Sequence, residues 1–275
     1  MATPDPYTSD DQKELARIWM EKPGNSDKPI KFYHLAHPYY VFANYWIHEV
    51  DVLGDKFKTA EHYFQCCKFL PDSDYYKQCK NMSTPGKARV HAGGLWKSAI
   101  GTVNESNLRS QMNYDVDNDG IVDDIQFHLD YMTLFDKSPQ TIKDIIMFIA
   151  VLNKFKVPDL KDILVNTKYK VIIENTNVKG AQCPRDNYWG NAYNPDWRLG
   201  DELITFKHNP DISGQSCMKF DQGLGRNKLG IILMAVRELF RYGINDDQIN
   251  HYTNILFYCV NYIEGIVQQG IWEDY

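Results

Sequence analysis

The chain reads as a mainly α-helical protein with a small β component. Three observations predict this. Apolar residues recur at helical spacing in several segments, among them Ile142, Ile145, Ile146, Ile149 and Leu152. Strand-like composition is confined to an aromatic-dense stretch between Pro29 and Val52 and to the β-branched run Lys170-Val171-Ile172-Ile173-Glu174. No apolar run approaches the roughly 18 residues of a membrane span.

At 275 residues and 32.0 kDa, the chain suits one large domain or two small ones. A content of 43% hydrophobic and 13% aromatic residues is enough for a sizeable core. The formal charge of −6 argues against an extended nucleic-acid-binding face, because neutralising phosphates requires clustered Lys and Arg. A small basic pocket for one nucleotide remains compatible with it. The opening Met-Ala-Thr-Pro-Asp-Pro lacks the basic-then-apolar order of a signal peptide. The six cysteines contain no C-x-x-C pair, which argues against a zinc site or a disulfide framework. A protein of the cytoplasm, without a membrane partner, is expected.

Residues 1–28 are polar, with one short helix expected around Ser9 to Glu21. Between Pro29 and Val52, short strands and turns are expected, and Asn44 stands among aromatic rings as either a turn residue or a ligand contact. The central stretch is Lys58-Thr59-Ala60-Glu61-His62-Tyr63-Phe64-Gln65-Cys66-Cys67-Lys68-Phe69. Thr59 can cap a helix there, and Glu61, Gln65 and Lys68 then share one narrow polar stripe at i, i+4 and i+7. A helix apolar around most of its circumference is a buried helix, and its few polar groups then need partners or a ligand. The alternative is a solvated Glu-Gln-Lys edge.

Asp72 to Lys80 predicts a second short helix, and Thr84-Pro85 opens a third as cap and first helical residue. Arg89, near Gly93-Gly94, is either a surface arginine or a holder of phosphate or carboxylate. Residues 97–140 shift to Asn, Asp and Ser and read as an insertion. Within it, Asp115, Asp117, Asp119, Gly120 and Asp123 match the first part of a calcium loop. Gln126 stands where the bidentate Glu belongs, so a flexible acidic loop competes with a calcium site.

Helices are expected from Thr141 to Phe155 and from Leu160 to Leu164, followed by the strand ending in Glu174. A polar aromatic loop follows, Arg185-Asp186-Asn187-Tyr188-Trp189-Gly190-Asn191. Residues 193–221 read as a second insertion. Gly223-Leu224-Gly225-Arg226-Asn227-Lys228-Leu229-Gly230 then opens an apolar helix to Arg237, a turn that can receive an anion or simply pack closely. Residues 241–275 predict one or two packing helices.

The order of these pieces resembles the NADAR (YbiA-like) family. The resemblance rests on Phe42-Ala43-Asn44-Tyr45, Thr59-Ala60-Glu61-His62-Tyr63-Phe64-Gln65, Lys68-Phe69, Lys154-Phe155, Glu174, Asp186 with Trp189-Gly190, and Asn227-Lys228-Leu229-Gly230 with Leu233-Met234 and Arg237. It implies a single compact YbiA-like domain over residues 29–240, with an N-terminal extension at 1–28, insertions at 97–140 and 193–221, and a C-terminal helical extension at 241–275. It also implies N-glycosidase chemistry without a cofactor, either removing ADP-ribose from guanine bases, free or in DNA or RNA, or acting on riboflavin-pathway intermediates.

On that resemblance the catalytic candidates are Glu61, Lys68 and Asp186. Substrate-binding candidates are Asn44, Gln65, Arg89, Trp189, Gly190 and Asn227. Glu61 suits stabilisation of a sugar cation or activation of water. Lys68 suits either an ion pair with that carboxylate or attack on the anomeric carbon. Asp186 is a proton acceptor, a ribose ligand or a loop cap, and Trp189 is a stacking face or a core residue. Two other classes compete: a non-catalytic reader of NAD or ADP-ribose, which needs neither Glu61 nor Lys68, and a calcium-regulated interaction protein resting on the acidic loop alone.

Overall fold

The computed structural model describes residues 28–69, 71, 73–102, 142–176, 189–191, 225 and 227–268. The expected helix at 9–21, the acidic loop, Asp186 and the second insertion lie outside them. Among the described residues are seven α-helices and four strands of three residues each, the mainly helical architecture with a small β component that the sequence predicts.

Strand β1 (Ile30–Phe32) is followed by a single 3-10 turn, Tyr40–Phe42. Strands β2 (Val50–Val52) and β3 (Asp55–Phe57) form an antiparallel hairpin. Both residues of its two-residue loop have positive φ, 55° at Leu53 and 89° at Gly54, as a tight hairpin requires. Helix α1 (Ala60–Cys66) follows, and every one of its residues is buried. Its side chains pack against α2 (Asp74–Asn81), α3 (Pro85–Thr102) and α4 (Ile142–Phe155).

Several boundaries differ from the sequence expectation, and two of them bear on the candidate site and the first insertion. Helix α1 stops at Cys66, so Lys68 lies in the turn beyond it; Cys67 and Lys68 both bond back through their amides, Lys68 to the Gln65 carbonyl at 3.3 Å. No Gly or Pro marks that stop. Helix α3 runs on to Thr102, past the expected start of the first insertion at 97, because Gly93-Gly94 is absorbed into the helix instead of breaking it.

Helix α4 is the hub. Residues Ile145 to Leu152 are buried without interruption, the signature of a helix surrounded on all sides. It touches α1, β2, α5 (Pro158–Val165), α6 (Lys228–Arg241) and α7 (Asp246–Gln268). Asp144, in its first turn, meets the ammonium of Lys228 at 3.4 Å in a fully buried ion pair. No helix among the described residues is long and apolar enough to cross a membrane.

Strand β4 (Ile172–Glu174) pairs in parallel with β1, Ile30 opposite Ile172 and Phe32 opposite Glu174. Asn227 fastens this pair to α6. It caps the helix in the left-handed region, φ 54°, a conformation Asn tolerates better than most residues. Its Nδ2 donates to the Ile172 carbonyl at 2.8 Å, and its Oδ1 accepts from the Glu174 amide at 2.9 Å. A Cβ on Gly230 would strike the Ile172 carbonyl and the Asn227 side chain, so only glycine lets the helix come this near the strand. Replacing Asn227 by Ala strands one buried and one half-buried backbone group, and we expect a loss of about 2–4 kcal/mol in urea unfolding. A loss under about 1 kcal/mol would show that the clasp is not what joins strand to helix.

Candidate active site

The site grows from the first turn of α1. Thr59, extended at φ −155°, caps the helix by accepting from the His62 amide at 3.2 Å. His62 is then locked at both ring nitrogens: Nδ1 lies 2.8 Å from the Thr59 hydroxyl and Nε2 lies 3.1 Å from the Met82 carbonyl. A carbonyl only accepts, so Nε2 carries the proton and Nδ1 accepts from the hydroxyl. Burial lowers the pKa of this imidazole, with the Met82 carbonyl opposing and the Lys58 charge adding to the effect. His62 therefore holds the helix start in place as a neutral ring.

Glu61, one residue earlier, is buried at 6% exposure, and Gln65 donates to its Oε1 at 2.7 Å. This is the i, i+4 contact that the polar stripe predicts. The Glu61 amide, one of the unpaired donors at a helix start, finds the Asn44 carbonyl at 3.1 Å. Asn44 is buried too, and its Nδ2 contacts the Met147 sulfur at 3.1 Å. Two amide oxygens here, Gln65 Oε1 and Asn44 Oδ1, are buried without a hydrogen-bond partner among the described residues.

Lys68 is half-buried, with Nζ 5.6 Å from the centre of the Phe64 ring. Phe64 in turn meets Trp189 edge-on, ring centres 5.4 Å apart. Burial pulls the Lys68 pKa below the ordinary lysine range, the Glu61 charge pushes it back up, and the Arg89 charge pulls it down. Tyr45 reports the same neighbourhood. Its phenol is pushed up by burial and by Glu61, and drawn down by the charge and hydrogen bond of Arg89. Glu61, Lys68, Arg89 and Tyr45 therefore share one electrostatic field, with Phe64 and Trp189 as its aromatic wall.

The structure thus gathers Glu61, Gln65, Lys68, Arg89, Asn44 and Trp189 around the short helix α1. Asn227 and Gly190, expected as ligand contacts, also hold the backbone around the site. Both ends of the Asn227 amide are committed to β4, and Gly190 lies so close to Thr176 that any side chain would collide. Their backbones hold Trp189: the Asn227 amide donates to the Gly190 carbonyl at 3.0 Å, and the Leu229 amide to that of Trp189 at 3.1 Å. Asp186 lies outside the described residues, as do the four acidic residues of the calcium candidate. Among the described residues, no group of three or more His, Cys, Asp or Glu side chains could hold a metal. A surface depression lined by Asp74, Lys77, Gln78, Asn81 and Met82 includes none of the candidates.

Tyr45 is the residue that sequence reading overlooks. It lies 44 positions from its partner Arg89 and is one of seven aromatics between Phe32 and Trp46, with nothing in composition to single it out. Chemically, the cluster offers a carboxylate in a dry setting, an amine biased towards its neutral form, and a fixed cation. A carboxylate beside a sugar can stabilise positive charge at the anomeric carbon or take a proton from water. A partly neutral amine can attack the same carbon.

A family model described as the NADAR domain matches residues 31–241. Among curated proteins, the N-glycosidase YbiA of Escherichia coli is 24% identical over 213 residues, covering 77% of this chain and 88% of that protein. An N-glycosidase of Nostoc punctiforme is 25% identical over 215 residues, covering 77% of this chain and 92% of that one. The NMR structure of the E. coli protein YbiA matches with a TM-score of 0.46 at 22% identity, covering 78% of this chain and 86% of that chain.

Proposed function

Because the NADAR model spans residues 31–241, the chain belongs to the NADAR family, and from that premise we propose that it is a hydrolase acting on N-glycosidic bonds, one that removes ADP-ribose from guanine bases, free or in nucleic acid. Relatives named N-glycosidases support the reaction class. The observation that carries the proposal is the buried Glu61 carboxylate held by Gln65, with the half-buried Lys68 in its field. A reader of ADP-ribose needs the aromatic wall and the arginine but neither of these groups.

In this reading the base leaves with the electron pair of the C–N bond and takes up a proton. Glu61 stabilises the positive charge growing on the sugar. Water then adds to the anomeric carbon and loses a proton to the carboxylate. Alternatively the Lys68 amine attacks that carbon, the sugar ring opens to an iminium, and water hydrolyses it to return the free amine. Arg89 holds a phosphate, Tyr45 keeps that guanidinium in place, and Trp189 stacks on a ring of the substrate. The buried Cys66 and Cys79 are thiols outside any disulfide, which favours work in the reducing cytoplasm.

The test is incubation with a guanine-ADP-ribosylated oligonucleotide and, separately, with a riboflavin-pathway intermediate. Release of ADP-ribose from the oligonucleotide is the expected result. Turnover of the riboflavin intermediate alone transfers the same chemistry to that substrate, and turnover of neither overturns the proposal.

A further inference from the structure

One buried amine has no part in the mechanism above. Lys154, near the end of α4, is 1% exposed, and its Nζ donates to the Ala43 carbonyl at 2.9 Å. The rings of Trp46 and Phe155 stand 5.4 and 5.2 Å from the nitrogen. Burial draws its pKa down to about 7, and among the described residues no neighbouring charge offsets it. Burying an amine without a counter-ion is costly, and a methionine of similar length would fill the space at less expense. What the amine secures is a single carbonyl.

That carbonyl occupies a sensitive place. Ala43 ends the 3-10 turn, and the next residue, Asn44, gives its carbonyl to the Glu61 amide at 3.1 Å. The Asn44 side chain meets Met147, two turns before Lys154 on the same face of α4. Tyr45, the residue after, lies in the field of Glu61 and bonds to Arg89. Helix α4 therefore grips residues 43–45 at two points, and they in turn receive the first turn of α1 at the residue that bears the carboxylate.

We propose that Lys154 is a positioning residue: by holding the Ala43 carbonyl it fixes Asn44 and Tyr45, and through them sets the Glu61 carboxylate at its working height. The kinetic part of this inference rests on the N-glycosidase reading; the structural part does not.

The experiment is Lys154→Met, followed by amide hydrogen exchange and by kinetics on the ADP-ribosylated oligonucleotide. Protection at the Glu61 amide should fall about tenfold or more while that of Leu152 and Ile232 holds, because only the bond to Asn44 is loosened. Turnover should fall about 10- to 100-fold with KM within about twofold, the mark of a displaced reacting group rather than lost binding. Unchanged protection at Glu61 overturns the proposal whatever the activity. So does a uniform loss of protection across the core, which would make Lys154 a general packing residue. A wild-type protein inert on both substrates counts against the glycosidase reading and leaves the exchange result to decide this one. Should Lys154→Met not fold, Lys154→Gln, which keeps a polar tip but falls short of Ala43, is read by the same criteria.

Discussion

Glu61→Gln lowers turnover by about 10³-fold or more and leaves the fold intact. The amide has the shape of the carboxylate, and its oxygen can still accept the hydrogen bond from Gln65 that now measures 2.7 Å. What disappears is the negative charge and the capacity to take a proton, both of which matter most in a site from which water is largely excluded. Melting within a few degrees of wild type, together with single-turnover release of ADP-ribose, separates the two effects. A rate within about tenfold of wild type would remove Glu61 from the chemistry.

Lys68→Met should cost about 10²- to 10³-fold in turnover, with borohydride during wild-type turnover linking the sugar to Lys68. The sign of the pH dependence follows from the surroundings of this amine. Burial lowers its pKa, Glu61 raises it and Arg89 lowers it. Removing the guanidinium in Arg89→Gln therefore raises the pKa. At any given pH the neutral fraction falls, and the ascending limb of the rate profile moves to higher pH. A lysine that serves only as counter-ion to Glu61 predicts the opposite pair of results: no adduct, and a limb that stays where it is.

Much of this arrangement was legible in the chain because it is local. The thin stripe of Glu61, Gln65 and Lys68 on an otherwise apolar segment offers a buried helix or a solvated edge, the structure buries the helix, and Thr59 announces where it starts. The start of α3 follows from Thr84 with Pro85 in the same way, whereas α2, expected from Asp72, begins at Asp74 behind Ser73. What stayed hidden depends on partners far along the chain. The task of Asn227 is set by β4, 55 residues before it at Ile172, and no property of the Asn-Lys-Leu-Gly run distinguishes a backbone clasp from a ligand contact. Arg89 reads as a surface residue until Tyr45 is placed beside it. The stop at Cys66 was equally silent, since the turn that carries Lys68 is held by backbone bonds that any sequence can make.

The pairing of Ile30 with Ile172 has a further meaning. A strand at the head of the domain waits for one that emerges only after the five helices described between them, and the indole at 189 is seated later still, when the Leu229 amide arrives. Closing so long a stretch of chain is slow compared with forming its local helices. On the ribosome, then, the helix bearing the acid and the turn bearing its amine would be made early yet stay incomplete until the final third of the polypeptide docks. A nascent chain cut before Asn227 should carry the reactive groups but no competent enzyme.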